Sequence, residues 1–416
     1  MVIASIDLMD GKAVQLKQGA EKVLEVDTPL DLARKFDRFG EIAVIDLDAA
    51  LGNGDNRETI RQILKVAECR VGGGIRTVEQ AREWISLGAR KVIVGSKAFE
   101  NDAVNHVFLK ELSDVISPQH LIIAIDAREG EIVTQGWKHR TGLDVLETAP
   151  KLARYCGEFL FTCVEREGMM QGSDRDLVAK VLEKTDRRVA VAGGVSTLDE
   201  VRELAALGTD QQLGMALYTG KIDLADAFIE SLDWQKAALI PTIVQDRAGQ
   251  VLMLAYSNRE SLKKTFAVGK MHYFSRSRQK LWQKGETSGH FQNVQRLRAD
   301  CDRDTLLAVI DQTDVACHLG DYSCFGDKQF SWAELHEVIS DRFENPPPGS
   351  YTAKLKSGDL LSEKILEEAQ EVVEAEERDH LIWEAADLLF FLTAKLARHD
   401  IGIEEVLHEL RRRRKK

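Results

Sequence analysis

Two stretches of this chain, GGGIRTVEQAREWISLGA (72–89) and AGGVSTLDEVRELAALGT (192–209), are close copies of each other: glycines, then a hydroxyl residue, then apolar positions at helical spacing. Each reads as a strand end, a tight turn and a capped helix, and an internal duplication is the simplest account of the pair. Short apolar runs recur around them: IASID (3–7), IAVIDL (42–47), CRVGG (69–73), KVIVG (91–95), LIIAID (121–126), FLFTCV (159–164) and RVAVAGG (188–194). With an eighth strand near QQLG (211–214), unusually polar for such a place, the pattern predicts a (β/α)8 barrel rather than an open doubly wound sheet.

In a barrel of this kind the strand ends carry the chemistry. Asp7 closes the first run, Asp126 closes the fifth, and Glu167 follows the sixth; Asp10 and Asp48 extend the acidic set. Paired carboxylates exchange protons with a substrate, one as base and one as acid, when their surroundings separate their pKa values. Gly73, Gly74, Gly193 and Gly194, with Gly95, Ser96 and Gly214, lie between strand and helix, where backbone N–H groups can face phosphate. Tight turns alone also demand glycine. Two related clusters favour a ligand with two phosphates.

On IDLMDGKAVQLKQG, IDLDAALG, VGGGIRT, VGSKAF, IDAREGEIVTQGW, AGGVSTLDE and ALYTGKIDLADAF, residues 1–235 resemble phosphoribosylformimino-5-aminoimidazole carboxamide ribotide isomerase of histidine biosynthesis. The resemblance implies Asp7 as base and the carboxylate after the sixth strand as acid, with Asp126 supporting the substrate. Many relatives read TDxxRDGTxxGPN there, whereas this chain has TCVEREGMMQGSD (162–174), with Cys163 and no GPN; Glu167 takes the acid's place. A glutamate keeps the charge and adds a methylene, and a misplacement of about 1 Å can cost roughly 100-fold in rate.

A second module is expected at 236–330. Cys301, Cys317 and Cys324 occur among carboxylates in ADCDRDT (299–305) and VACHLGDYSCF (315–325). Thiolates suit zinc, and Asp300, Asp302 and Asp304 offer the hard oxygens that suit magnesium. Three ligands leave a zinc position for water, with His290 or His318 placed to move protons. The stretch GKMHYFSRSRQKLWQKGETSGHFQNVQRLRADCD (269–302) is dense in cations, and Ser275, Arg276 and Arg278 can take a phosphoribosyl group; an RNA-binding strip is the lesser alternative for the stretch taken alone. SRSRQKLWQKGETSGH, DCDRDT and ACHLGDYSCF closely resemble phosphoribosyl-AMP cyclohydrolase. That likeness implies zinc on the three cysteines, magnesium on the three aspartates, hydrolytic opening of an adenine ring, and a dimer whose thiolates come from two subunits.

SWAELHEVISDRFENPPPGSYTAKLKSGD (331–359) has a short helical pattern and then a proline run that discourages its continuation, so 331–349 reads as a linker. Beyond it, 350–416 is helical almost throughout. Glu368 and Glu371 are three apart on one helix and Glu384 and Asp387 three apart on the next, spacings that let facing helices hold magnesium; Glu367 and Glu374 extend the stripe. Glu384 and Asp387 lie among strongly apolar neighbours, where uncompensated carboxylates are costly. SYTAKL, KILEEAQEVVEA and EAADLLFFL resemble phosphoribosyl-ATP pyrophosphohydrolase, with Leu366 where that family usually has glycine and Lys364 as a phosphate contact. The final RRRRKK (411–416) reads as a solvated basic helix end.

The bulk numbers agree with several domains in one chain. At 416 residues a single core has usually stopped growing. Six cysteines and no apolar leader point to a reducing compartment, the cytoplasm; a formal charge of −12 and the lack of a long apolar run leave out nonspecific nucleic-acid attraction and membrane spanning. The partners expected are phosphoribosyl nucleotides and further copies of the chain, as a homodimer or larger homo-oligomer. Alternatives are a bifunctional hydrolase with a silent barrel, an RNA-binding or scaffolding protein, and a loosely specific nucleotide pyrophosphatase in the last module.

Overall fold

A computed structural model describes residues 1–17 and 21–414, so Lys415 and Lys416 of the basic terminus lie outside the described residues. The chain forms two compact units, Met1–Gly326 and Asp327–Arg414. In the first, eight parallel strands close into a barrel in chain order: Val2–Met9, Ile42–Asp46, Cys69–Gly72, Lys91–Val94, Leu121–Arg128, Glu158–Cys163, Arg188–Ala192 and Asp210–Leu213. The polar eighth strand is real. Its Gln211, Gln212 and Leu213 pair in register with Val2, Ile3 and Ala4, which closes the ring. Part of its polarity is matched, since Gln211 Nε2 donates to the Thr209 carbonyl at 2.6 Å and Asp210 takes the N-terminal amine and Arg188, while the side-chain oxygens of Gln211 and Gln212 are buried without a hydrogen-bond partner among the described residues.

Alternation along each strand sorts the core. Ile3, Ala43, Ile93, Ile122, Leu160 and Ala190 belong to one inner cluster, while Val2, Ala4, Ile6 and Leu8 join the larger core that includes the surrounding helices. At the strands' starting end, fully buried Arg70 is bracketed by Glu41 and Glu158, with Lys91 beside both carboxylates. Charge there is paired, as burial requires.

The duplication seen in the sequence persists in detail. Thr77 and Thr197 each cap a helix, Val78–Ser86 and Leu198–Ala206, through reciprocal capping boxes with Gln80 and Glu200. Gly73 and Gly193 have φ of +94° and +91°, and a Cβ on either would meet the end of the preceding strand, 2.1 Å from the Asp46 carbonyl oxygen and 2.7 Å from that of Cys163. Close backbone packing therefore demands these glycines before any ligand does.

Residues 240–326 build on this barrel. Four strands in the order Val251–Ser257, Ile240–Gln245, Leu306–Gln312, Gln292–Ala299 carry the helix Arg259–Val268 and the hairpin His272–Ser275 with Lys280–Gln283. Their core takes in Phe228, Ile229 and Leu232 from the end of the barrel segment, and Phe39 stacks between Phe228 and Phe266. Arg296 reaches Asp37 and Glu68, Arg298 reaches Glu68, and the Leu297 N–H donates to the Arg38 carbonyl at 2.9 Å. These barrel residues precede strands two and three or lie at the end of the helix Leu224–Glu230 and just beyond it, so the added sheet covers the starting end and leaves the opposite mouth open.

The second unit holds helices Trp332–Glu344, Tyr351–Lys354, Leu360–Glu374, Arg378–Arg398 and Ile403–Arg414. Ile339 and Phe343 pack with Leu355, Leu361, Phe391 and Ala394, and Trp332 Nε1 donates to Thr393 Oγ1 at 2.6 Å. The stretch expected as a linker thus contributes a core helix, because Leu335, Ile339 and Phe343 recur every four residues ahead of the prolines. No described helix is long and apolar enough to cross a membrane. Phe330, Leu366, Val373, Ile382 and Trp383 of this unit are exposed, as are Leu319 and Phe325 of the first.

Gly73→Ala should destabilise the barrel by on the order of 3 kcal/mol or more, since strain and a backbone clash combine. Gly208→Ala, at φ +91° with open space around it, should cost only about 1 kcal/mol. Urea melts followed on the first unit's transition check the difference.

Candidate active sites

The barrel mouth holds a cavity of about 590 Å³ whose lining includes Asp7, Asp126 and Glu167. All three expected carboxylates therefore meet in one place. Asp7 accepts from Ser5 Oγ at 2.8 Å, and burial raises its pKa to about 6. Asp126 is raised by burial and held down by hydrogen bonds from Thr162, its register neighbour on the next strand, and from Trp137 Nε1 at 2.9 Å. Glu167 is pushed up to about 8, by burial first and then by the charges of Asp7 and Asp126. At neutral pH the arrangement keeps Asp7 mainly ionised and Glu167 mainly protonated, one base and one acid in a single cavity.

The altered loop after strand six is well braced. Arg166 Nη1 donates to the carbonyls of Gly172 and Ser173 at 3.2 and 3.1 Å, and the Gly172 N–H donates to the Gly194 carbonyl at 2.9 Å. Cys163 is buried beneath it, its thiol raised to about 11 by desolvation, which suits packing rather than chemistry. Gly73, Gly74, Gly95, Ser96, Gly193, Gly194 and Gly214 all line the same cavity. Asp48 does not join them: it accepts from the Asp10 N–H at 2.7 Å and Asn56 Nδ2 at 3.0 Å, fixing the loops beside the first strand. Trp137 escaped the sequence reading. It sits at φ +68° on the tip between Glu131–Thr134 and His139–Asp144, and only the turn-like TQGW hinted at it.

In residues 240–326 the acidic triad is assembled. One oxygen each from Asp300, Asp302 and Asp304 lies within 4.8 Å of the others, a spread one hard divalent cation can bridge. Lys236 Nζ donates to Asp302 at 2.6 Å and Asp304 at 2.9 Å, and Asp300 accepts from the N–H groups of Asp304 and Thr305. The thiols divide differently. Cys317 and Cys324 interact with each other and with the Lys284 ammonium, whose pKa is lowered by desolvation. Cys301 joins no cluster of three ligands among the described residues, so a single chain does not bring the three cysteines together. His290 Nε2 faces Asp314 at 3.2 Å, and His318 is exposed next to Cys317. Arg276 stacks on Tyr256 with 3.8 Å to the ring centre, Arg278 lies 5.6 Å from that of Trp282, and Ser275 Oγ accepts from Arg278 Nε.

In the helical unit, Glu368, Glu384 and Asp387 bring one oxygen each within 4.8 Å of one another, with Glu368 and Glu384 buried. Glu371 stands beside this group: its hydrogen bond with Glu384, then desolvation, raises its carboxyl. Lys364 Nζ lies 2.7 Å from Glu367 and 3.7 Å from Glu368, at the edge of the same acidic group. His380 Nε2, 2.9 Å from Glu384, was not anticipated, although its i to i+4 spacing was visible.

A closed eight-stranded barrel with a carboxylate-lined, glycine-rimmed mouth, followed by two carboxylate-rich modules, defines a multidomain enzyme. The histidine biosynthesis protein family matches residues 1–223, and the chain belongs to it. Phosphoribosyl-AMP cyclohydrolase matches 253–326 and phosphoribosyl-ATP pyrophosphohydrolase 332–414. A histidine biosynthesis bifunctional protein of Pyrococcus furiosus is 44% identical over 206 residues, 46% of this chain and 99% of that protein. A phosphoribosyl imidazole-4-carboxamide isomerase of Methanocaldococcus jannaschii is 39% identical over 234 residues, 55% of this chain and 97% of its own. The bifunctional protein of Thermotoga maritima is 43% identical over 195 residues, 42% of this chain and 98% of its own. Isomerase, cyclohydrolase and pyrophosphohydrolase domains of histidine biosynthesis follow one another in one polypeptide.

The expectation of Asp7 as base and Glu167 as acid carries a pH response for the first domain. Its kcat/KM should rise as Asp7 loses its proton near pH 6 and fall as Glu167 loses its proton near pH 8, giving a bell centred near neutrality. A pH–rate profile of the isomerisation checks this, and Glu167→Gln should remove the alkaline limb along with most of the rate.

Proposed function

We propose that the three sites act in the order last, middle, first along the chain. The helical module, 350–416 together with the helix at 332–344, releases pyrophosphate from phosphoribosyl-ATP. The middle module, 236–330, adds water across the purine ring of phosphoribosyl-AMP and opens it. The barrel, 1–235, converts the resulting aminoaldose to an aminoketose. The observation that carries the last step is the split between Asp7 and Glu167 inside one cavity. Glu167 gives its proton to the ring oxygen of the aminoaldose as that ring opens, Asp7 takes the proton from the neighbouring carbon, and Asp126, steadied by Trp137, orients the sugar hydroxyls. The paired glycine turns face the two phosphates.

Magnesium fits the triad Asp300, Asp302 and Asp304 and the group Glu368, Glu384 and Asp387, because both offer convergent hard oxygens; it would neutralise phosphate charge there. Glu371 completes the second group from the same helix as Glu368. Zinc fits Cys317 and Cys324, soft donors already in contact, and would acidify water for attack on the ring. Cys301 then serves the thiol pair of a second copy. The exposed apolar side chains near that pair, Leu319 and Phe325, and those on the helical unit accord with a homo-oligomer. His290, oriented by Asp314, and His318 move protons at the ring, while Ser275, Arg276 and Arg278 hold the phosphoribosyl end. We read the enzyme as cytoplasmic and its ligands as small nucleotides rather than RNA; Arg276 over Tyr256 and Arg278 beside Trp282 are steadied for one compact phosphoribosyl end.

Mixing two inactive variants tests the shared zinc site. Cys301→Ser and Cys317→Ser should each lose ring opening by at least about 100-fold while pyrophosphate release continues at the parent rate. A mixture of the two, refolded together, should regain part of the ring-opening activity because some heterodimers carry one intact site. No recovery in heterodimers verified by mass would contradict the sharing.

A further inference from the structure

The Asp300–Thr305 loop is tied to the barrel by the residue in its middle. Arg303 stands at φ +63°, the left-handed region that favours glycine. Its guanidinium donates to the Ala205 carbonyl at 2.6 Å and the Thr209 carbonyl at 3.0 Å, at the end of helix Leu198–Ala206 and just before strand eight. Its own carbonyl accepts from the Asp233 N–H at 2.8 Å, in the segment that leaves the barrel. Three residues further on, Lys236 holds Asp302 and Asp304, the two carboxylates that flank Arg303. A long cation in an unfavourable backbone conformation, bonded at both ends to another module, is difficult to explain by the needs of its own loop.

We infer that Arg303 is a positioning residue through which the barrel sets the magnesium loop of the cyclohydrolase domain, making metal binding in the second domain depend on the first. The inference rests on the reading of Asp300, Asp302 and Asp304 as the magnesium ligands. Three carboxylates on a short loop repel one another, so an apo loop tends to open; anchoring its central residue to rigid barrel carbonyls limits that opening before the cation arrives. The barrel is thus a scaffold for a reaction it does not catalyse. Arg303 touches neither substrate nor metal in this account and acts through the spacing of its neighbours.

Arg303→Gly is the informative variant, because glycine relieves the left-handed backbone while removing the anchor. Hydrogen–deuterium exchange on the full chain, read on peptides spanning 296–308 during a magnesium titration, reports the loop without relying on turnover. Magnesium should slow exchange there in the parent, and the half-effective concentration should rise about 10-fold in Arg303→Gly, as expected for losing a charge-assisted anchor. The magnesium concentration for half-maximal ring opening should rise in parallel, with kcat at saturating magnesium within about twofold of the parent and pyrophosphate release unchanged. Arg303→Lys should recover part of the shift. Asp302→Asn separates the two ideas. If it abolishes protection while Arg303→Gly leaves the titration where it was, the tether is rejected and the metal site stands. If magnesium protects the loop equally in Asp302→Asn and the parent, the metal assignment fails and the inference falls with it.

Discussion

Pairing of Val2–Ala4 with Gln211–Leu213 is the contact on which the first unit depends, because it turns a row of strands into a ring. A ring has two unlike ends. At one, Asp7 and Asp126 stand near the ends of their strands and Glu167 follows the sixth, and small residues such as Ser5, Ala124 and Ala192 help leave room for a substrate. At the other, Arg70 and its carboxylate partners seal the interior, and the second sheet docks through Phe39, Phe228 and Phe266. Opening the ring would disperse Asp7, Asp126 and Glu167 and unsettle the surface that carries the next domain.

Burial lifts the carboxylates together, and their neighbours separate them. Each of the three is withdrawn from water, which raises all of them, and local hydrogen bonds then decide the order. Ser5 steadies ionised Asp7, Thr162 and Trp137 steady Asp126, and Glu167 is raised further by the negative charge of both neighbours. The extra methylene of Glu167 does not keep it out of the cavity, because Arg166 and Gly172 fix the loop behind it. The helical unit uses the same logic in another form: Glu371 is raised by its contact with Glu384, beside a group that a divalent cation would relieve.

Much of this was legible in the chain because its signals are local. Strand runs, the duplicated turn and helix, the capping residues Thr77 and Thr197, and the carboxylates at strand ends all follow from short-range pattern. Even the polar eighth strand was placed near QQLG, from its position after the seventh repeat. The helical pattern at 332–344 was visible, but the prolines just after it suggested a linker, and its packing against Leu355, Leu361 and Phe391 depends on residues further along the chain. Trp137, His380 and Arg303 could not be read with the same ease, since their partners are distant in sequence or lie in another module. The thiols show the limit in the opposite direction: the sequence marks Cys301, Cys317 and Cys324 as one set, whereas one chain folds with only two of them together.

The central claim is that all three domains are active in one polypeptide, and one incubation tests it. Purified full-length chain supplied with phosphoribosyl-ATP, magnesium and zinc, and followed by mass and by proton exchange at the reacting carbon, should form pyrophosphate, then the ring-opened aminoaldose, then the aminoketose. Accumulation of the aminoaldose with no ketose, from protein whose two hydrolytic steps run, would contradict the account and leave the barrel a scaffold only.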